Sequence, residues 1–379
     1  MQRESRPQKK NSIDLEQIAA ILLLFFLLFE ILLISVTLIR SVAPRDRSNG
    51  ELESAQSATE DSSNSNGEKD FIPVFSGGVI PQRPYVGSES VSLGDEVLSE
   101  YAILIDAESG EILASKNADV RFSPASMTKV MTLIVACENL TAEDLVRRVV
   151  YTQEIADYVR SGNYAGTSTS LPVEDKNGNS YIGDEYILED LLYGIGVASA
   201  ADCTYMIAKE VAGSEEAFVE LMNQKATEMG LTNTHFDNAV GFDSANNYTT
   251  ATEMAMIMSY AMQNSHIANY LAVRNEEYYY IKGYYWKDDG TEASYPVRLD
   301  VSLYSRLEKY AMKLSTSKLV ATKTGYTTES FMVLTAQGLS TGKRYVLVVG
   351  ERESGDISLT QKFKNTLIDI EKILNTYAK

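Results

Sequence analysis

An N-terminal apolar run constrains this chain more than any other stretch. Residues 18–39 are apolar apart from Glu30, Ser35 and Thr37. In a helix rising 1.5 Å per residue these 22 residues reach roughly 33 Å, enough to cross the core of a bilayer. The hydrophobic part of a cleaved secretory signal is shorter, about 7 to 15 residues. Ser41-Val42-Ala43 offers small residues to a signal peptidase, but Pro44 would follow the cut and fits poorly. The expectation is an uncleaved signal anchor. Arg3, Arg6, Lys9 and Lys10 precede the span while Arg40, Arg45 and Arg47 follow it, so charge alone favours an inside N-terminus only weakly. Glu30 falls near the midplane, where a partner helix and a protonated, tolerated carboxyl are equally consistent with the sequence.

Residues 44–70 contain no aromatic side chain and one large aliphatic one, Leu52. Such a stretch cannot bury enough surface to offset its ordering entropy and reads as a tether. Residues 71–96, with Gly77-Gly78 and three prolines, read as a semi-ordered lead-in to a folded unit starting near Val97. The expected organisation is therefore a cytoplasmic N-terminus (1–17), a transmembrane anchor (18–39), a linker (40–96) and a catalytic domain (97–379).

Charge removes whole classes of function. With 34 basic and 52 acidic residues the chain carries −18, which leaves no basic footprint for phosphates, and no nucleic-acid partner is expected. The two histidines, His235 and His266, have no HExxH-like spacing, and with two cysteines they offer little to build a metal site from. No metal and no cofactor is expected.

From Val97 onward, Tyr101–Asp106 reads as a strand, Glu108-Ser109-Gly110 as a turn and Glu111–Ser115 as the returning strand. Pro124 precedes a helix with Met127, Val130, Met131, Ile134 and Val135 on its apolar side. Helices are expected at Ile187–Tyr193, Asp202–Val211, Glu215–Met229 and Thr252–Gln263. Tyr278–Ile281 and Tyr284–Trp286 read as a hairpin around Gly283. Strands near 319–324, 331–337 and 344–350 precede a closing helix from Ser358 to Tyr377. Strands at both ends with helices between predict one sheet assembled from both termini, plus a helical lobe.

Two patterns can carry chemistry. Ser126-Met127-Thr128-Lys129 places a hydroxyl and an amine three residues apart on one helix face, so the lysine can take the serine's proton. A helix start adds backbone N–H groups that can face a developing oxyanion. Lys323-Thr324-Gly325 lies on a predicted strand, where a cation and a hydroxyl beside a glycine can hold a carboxylate while a peptide lies along the strand. Each is common alone; their coexistence, with Ser199 between them, is not.

The order Ser-x-x-Lys, a Ser-centred motif and Lys-Thr-Gly resembles the penicillin-recognising serine enzymes. The surrounding residues resemble the serine D-alanyl-D-alanine carboxypeptidases: Leu104-Ile105-Asp106-Ala107, Ser109-Gly110-Glu111, Ser123–Lys129, Val211–Phe218, Asn233-Thr234-His235-Phe236 and Lys323–Thr327. The resemblance covers roughly residues 100–350. It implies an α/β (α+β) penicillin-binding or serine β-lactamase-like fold, with an antiparallel sheet flanked by helices. It also implies the following roles. Ser126 attacks the carbonyl between the terminal D-alanines of a peptidoglycan stem peptide, and Lys129 is its base. Backbone N–H groups of Ser126 and Tyr326 form the oxyanion hole. Lys323 and Thr324, beside Gly325, hold the terminal carboxylate, and Ser199 relays a proton to the departing D-alanine. β-Lactams would then be covalent inhibitors. A substrate of this kind places the domain outside the cytoplasm of a bacterium, on a single-pass anchor in the cell membrane.

One position departs from the family. Its middle motif is usually Ser-x-Asn, whereas this chain has Ser199-Ala200-Ala201. Alanine cannot make the amide's hydrogen bonds, so either a neighbour supplies them or deacylation and Lys129 positioning weaken. An alternative is thus a muropeptide- or penicillin-binding scaffold without turnover. A third is a β-lactamase, which needs a dedicated deacylating carboxylate; neither Glu174 nor Glu189 is identifiable as one. Gly338–Lys343 lacks phosphate-loop spacing and reads as a turn. Tyr278–Trp286 reads as a cross-strand aromatic ladder rather than a sugar platform. His235 reads as a packed or capping residue, and Cys137 and Cys203 as free thiols.

Overall fold

The computed structural model describes residues 71–160, 170–174, 178, 180–301, 310, 312–326, 330–351 and 358–379. The expected N-terminal tail, the span with Glu30, the tether as far as residue 70, and Thr327 lie outside the described residues. Among the described residues no helix is long and apolar enough to cross a membrane.

Lys69–Lys379 forms a compact unit. Its strands are β1 (Tyr85–Ser92), β2 (Tyr101–Asp106), β3 (Glu111–Lys116), β4 (Arg148–Val150), β5 (Glu185–Ile187), β6 (Tyr278–Trp286), β7 (Glu292–Asp300), β8 (Ser317–Tyr326), β9 (Ser330–Gly338) and β10 (Arg344–Glu351). Its described helices are α1 (Lys129–Asn139), α2 (Ala142–Leu145), α3 (Gln153–Arg160), α4 (Leu188–Ala198), α5 (Ala201–Ala212), α6 (Glu215–Glu228), α7 (Ala251–Ala261), α8 (Ser265–Tyr270) and α9 (Leu359–Tyr377). The main sheet runs β1-β3-β2-β10-β9-β8, so strands from both ends of the unit do meet in one sheet.

Alternation along the strands builds two cores. Ile103 and Ile105 of β2, with Val346 and Val348 of β10, face the helical lobe. Ala102 and Leu104, with Leu347 and Val349, face α9, which buries Phe363, Leu367, Ile370 and Leu374 against them. A period of two on the strands against 3.6 on the helix is what sorts these residues. On the other side α1 is buried along Lys129–Cys137 and forms the spine of the lobe.

Four details differ from the sequence reading. The sheet is mixed, because β1 pairs with β3 in parallel. The ordered unit starts before Val97: Phe75 and Leu93 are buried, and the Phe75 backbone N–H bonds the Cys137 carbonyl at 2.8 Å. The hairpin around Gly283 is instead one continuous strand, β6, paired along its whole length with β7. Gly283 is needed because the Tyr295 ring covers it; a Cβ there would lie 2.3 Å from Tyr295 Cζ. The turn falls at Gly290, which has φ +77°. With β4 and β5 these strands form a second, antiparallel sheet.

That pairing also removes the aromatic ladder. Tyr278, Tyr280 and Tyr284 sit opposite Asp300, Arg298 and Ser294. Guanidinium groups cover two of the rings, Arg298 over Tyr278 at 4.5 Å and Arg148 over Tyr284 at 3.8 Å. Residues 339–343 form the turn between β9 and β10, as expected. Cys137 and Cys203 are free and buried.

Candidate active site

Ser126 does not begin an α-helix. It lies in a 3-10 turn, Ala125–Thr128, that feeds into α1 at Lys129. The turn is entered through Ala125 at φ +46°, a conformation that disfavours any side chain beyond glycine. Two glycines permit it. Gly241 packs against the Ala125 carbonyl, where a Cβ would come within 1.9 Å of the oxygen. Gly325 of β8 faces the Pro124 carbonyl, where a Cβ would lie 2.7 Å away. The glycine of Lys323-Thr324-Gly325 thus lets the strand abut the turn that carries Ser126.

Lys129 Nζ lies 3.0 Å from Ser126 Oγ and donates to the Val240 carbonyl at 2.6 Å. Its side chain is wholly buried. Burial lowers its pKa from 10.5 to about 7, against the opposing pull of Asp202, Glu215 and the Cys203 thiol. A neutral amine in this position can accept the Ser126 proton while an N–H still bonds Val240. The segment supplying that carbonyl is fixed in turn: Thr132 Oγ1 donates to Ala239 O at 2.7 Å, and Ala239 N donates to Glu215 Oε1 at 3.0 Å. Asn238 Oδ1 accepts from the N–H groups of Gly241 and Phe242.

Ser199 caps α4 in the left-handed region, φ 59°, and is nearly buried. Lys323 Nζ donates to Ser199 Oγ at 2.8 Å and to Thr324 O at 3.0 Å, and Lys323 and Thr324 are both buried. Tyr326 ends β8 and is partly exposed. The structure therefore joins Ser126 to Lys129 and Ser199 to Lys323 by direct hydrogen bonds, and brings Gly325 against the turn that carries Ser126.

Ala201 is buried at the start of α5. Its side chain makes no hydrogen bond to Lys129, whose Nζ donates to the Val240 carbonyl. The next residue, Asp202, is fully buried and accepts from the backbone N–H groups of Ser170 (2.9 Å), Leu171 (2.7 Å) and Cys203 (2.8 Å). Burial raises its pKa while those three N–H groups pull it back, and an acceptor-only pattern is that of a carboxylate. Burial pushes the Cys137 thiol up to about 12 and the Cys203 thiol well above its usual range, so neither is a nucleophile at neutral pH.

Sequence reasoning missed Val240, Asp202 and Glu215. A backbone carbonyl leaves no trace in a residue string. Asp202 did carry one, as an acid beside a catalytic motif on the buried face of a helix. Among the described residues no cluster could hold a metal ion. His235 stacks on Tyr248, and its Nδ1 lies 2.7 Å from Asn246 O.

A serine hydroxyl against a buried amine, with Lys323 of the edge strand bonded to a second serine at a helix end, is an arrangement that suits a serine nucleophile. The profile of Peptidase S11, D-alanyl-D-alanine carboxypeptidase, matches residues 88–353, and the chain belongs to that family. It is 29% identical over 274 residues to the D-alanyl-D-alanine carboxypeptidase DacF of Bacillus subtilis, covering 69% of this chain and 59% of that one. It is 35% identical over 181 residues to DacA of Escherichia coli, covering 47% of this chain and 40% of the relative. The chain thus spans 59% and 40% of the lengths of these relatives. Among solved structures, a mutant of the Streptomyces K15 DD-transpeptidase superposes with a TM-score of 0.58 at 26% identity, over 74% of this chain and 98% of that one. The mixed fold of sheets flanked by helices is that of the penicillin-binding enzymes.

Proposed function

We propose that this chain is a membrane-anchored serine carboxypeptidase that removes the terminal D-alanine from peptidoglycan stem peptides, with residues 18–39 as the anchor and the catalytic unit outside the cytoplasm. The observation that carries the reading is Lys129 Nζ, wholly buried and 3.0 Å from Ser126 Oγ. Ser126 attacks the carbonyl between the two D-alanines as its proton passes to Lys129. The N–H groups of Ser126 and Tyr326 hold the oxyanion, and Lys323 with Thr324 holds the terminal carboxylate. Ser199, bonded to Lys323, passes a proton to the departing amine. Water then attacks the acyl-enzyme, which regenerates Ser126 and releases the shortened peptide. A β-lactam follows the same acylation and stays attached.

Ala201 favours a second reading, a binder that acylates without turning over. The Val240 carbonyl argues against it, because the lysine is positioned without the missing amide. The test uses Lys69–Lys379, since the unit includes residues 71–96. A diacetylated tripeptide ending in Lys-D-Ala-D-Ala is incubated with it and free D-alanine is assayed, with Ser126→Ala as control. Release that vanishes in the variant supports the carboxypeptidase. Stable penicillin labelling with no release establishes the binder, and rapid release of hydrolysed penicillin establishes a β-lactamase.

A further inference from the structure

The bend formed by residues 238–242 meets both members of the Ser126–Lys129 pair. The Val240 carbonyl accepts from Lys129 Nζ at 2.6 Å. The next residue, Gly241, at φ +86°, lies against the turn that carries Ser126. A Cβ on it would fall 1.9 Å from the Ala125 carbonyl oxygen and 2.9 Å from Ser126 N. Two consecutive residues of one backbone segment thus supply the acceptor for the amine and a wall of the serine's turn. A shift of that segment moves both together.

Two sets of bonds hold the bend. On its N-terminal side Ala239 is fastened from neighbouring helices: its carbonyl accepts from Thr132 Oγ1 at 2.7 Å, and its N–H donates to Glu215 Oε1 at 3.0 Å. On its C-terminal side the bonds come from within. Asn238 Oδ1 accepts from Gly241 N at 2.7 Å and from Phe242 N at 2.8 Å, and Asn238 Nδ2 donates to Phe242 O at 3.1 Å. Asn247 Nδ2 is a second donor to that carbonyl, at 3.0 Å. The half-buried Asn238 side chain therefore spans Val240 and pins the residues that follow it. A primary amide can accept both N–H groups on its oxygen and donate from its nitrogen; a carboxylate of the same shape can only accept, and alanine can do neither. Without Asn238 the Ala239 bonds would still fix the residue before Val240, while Gly241 and Phe242 would lose these three bonds.

We infer that Asn238 is a positioning residue for acylation: by closing the bend across Val240 it holds the Val240 carbonyl on Lys129 and Gly241 against the Ser126 turn at once. It acts through these two contacts, and a misplacement of about 1 Å at such a site can cost about 100-fold in rate. The inference rests on the reading of Ser126 as nucleophile and Lys129 as its base, and not on turnover of a peptide.

The test follows penicillin acylation of Lys69–Lys379 at pH 9 by stopped flow, resolved into a binding constant and a first-order acylation rate, each variant being normalised to the amount finally labelled. At that pH Lys129, with a pKa of about 7, is neutral. Asn238→Ala should slow the first-order rate about 10- to 100-fold and leave the binding constant within about threefold. Asn238→Asp keeps both accepted bonds and should stay within about fivefold of the unaltered rate. Asn264→Ala is the control for lost stability. Asn264 Oδ1 accepts from Ile267 N and its Nδ2 donates to Val74 O, both at 3.0 Å, bonds that join α8 to the lead-in rather than to this bend. Its loss should lower the melting temperature and leave the acylation rate within about twofold. If Asn238→Ala fails to fold, Asn238→Gln replaces it, because the added methylene displaces the amide without removing its polar atoms, and the same slowing is expected. An unchanged rate in Asn238→Ala overturns the inference, as does a fall confined to the binding constant. So does Asn238→Asp as slow as Asn238→Ala, or an equal slowing in Asn264→Ala. Unaltered protein that is acylated yet releases no D-alanine from the tripeptide overturns the carboxypeptidase reading alone, whereas unaltered protein that penicillin does not acylate overturns both.

Discussion

Acylation of Ser126 should track the loss of the Lys129 proton, which burial moves toward neutral pH. The wholly buried amine has its pKa lowered from 10.5 to about 7, a difference worth roughly 5 kcal/mol in favour of the neutral form. With a pKa of about 7, the neutral fraction is about 9% at pH 6 and about 91% at pH 8, so penicillin acylation should rise about tenfold and then level. A lysine left at 10.5 would instead give about a hundredfold rise over the same interval, with no plateau. Glu215→Gln sharpens the test. It keeps an acceptor for Ala239 N but removes a negative charge that holds the ammonium form, so the rise should move to lower pH. The assay is the second-order rate of labelling by a fluorescent penicillin between pH 5 and 9, on protein shown to stay folded by its melting curve. A hundredfold rise without levelling, or a move to higher pH in Glu215→Gln, would refute the reasoning. Linkage gives an independent check. Between about 7 and 10.5 the unfolded chain binds the Lys129 proton and the native chain does not, so this residue's contribution to stability rises with pH across that window and is flat below it.

Three further outcomes follow. Truncation to Val97–Lys379 removes β1 and the buried Phe75 and Leu93, and should lower stability by about 3–6 kcal/mol relative to Lys69–Lys379, measured by urea unfolding. Gly241→Ala places a Cβ against the Ala125 carbonyl at φ +86°, and should cost more than ~2 kcal/mol and slow penicillin labelling because the Ser126 turn must shift. Lys323→Ala removes the partner of Ser199 and the proposed carboxylate anchor, so kcat/KM for the tripeptide should fall about 100-fold or more while the fold persists.

The Ser126–Lys129 pair was legible because its spacing is local, whereas Ser199 and Lys323, 124 residues apart, were read through the family resemblance. Three residues bring Ser126 and Lys129 to one face whether the turn is 3-10 or α. The closing helix and β8–β10 were legible because their apolar periodicity is long. β4 and β5 escaped because three-residue strands have no readable period. β1 escaped because its burial pattern is almost wholly exposed and its pairing is by backbone alone. Gly283 misled for a physical reason: glycine marks a turn and also marks a place where a ring lies flat on a strand, and the sequence does not distinguish them. The support of Lys129 by the Val240 carbonyl is a tertiary fact that no motif encodes.

The most direct measurement is the identity of the acylated residue. Lys69–Lys379 and its Lys129→Met variant would be treated with penicillin at pH 8, digested and mapped by mass spectrometry. The account predicts one modified peptide, with the adduct on Ser126, and loss of that adduct over the same time in Lys129→Met. An adduct on Ser199 or elsewhere, or undiminished labelling of Ser126 without Lys129, would contradict it.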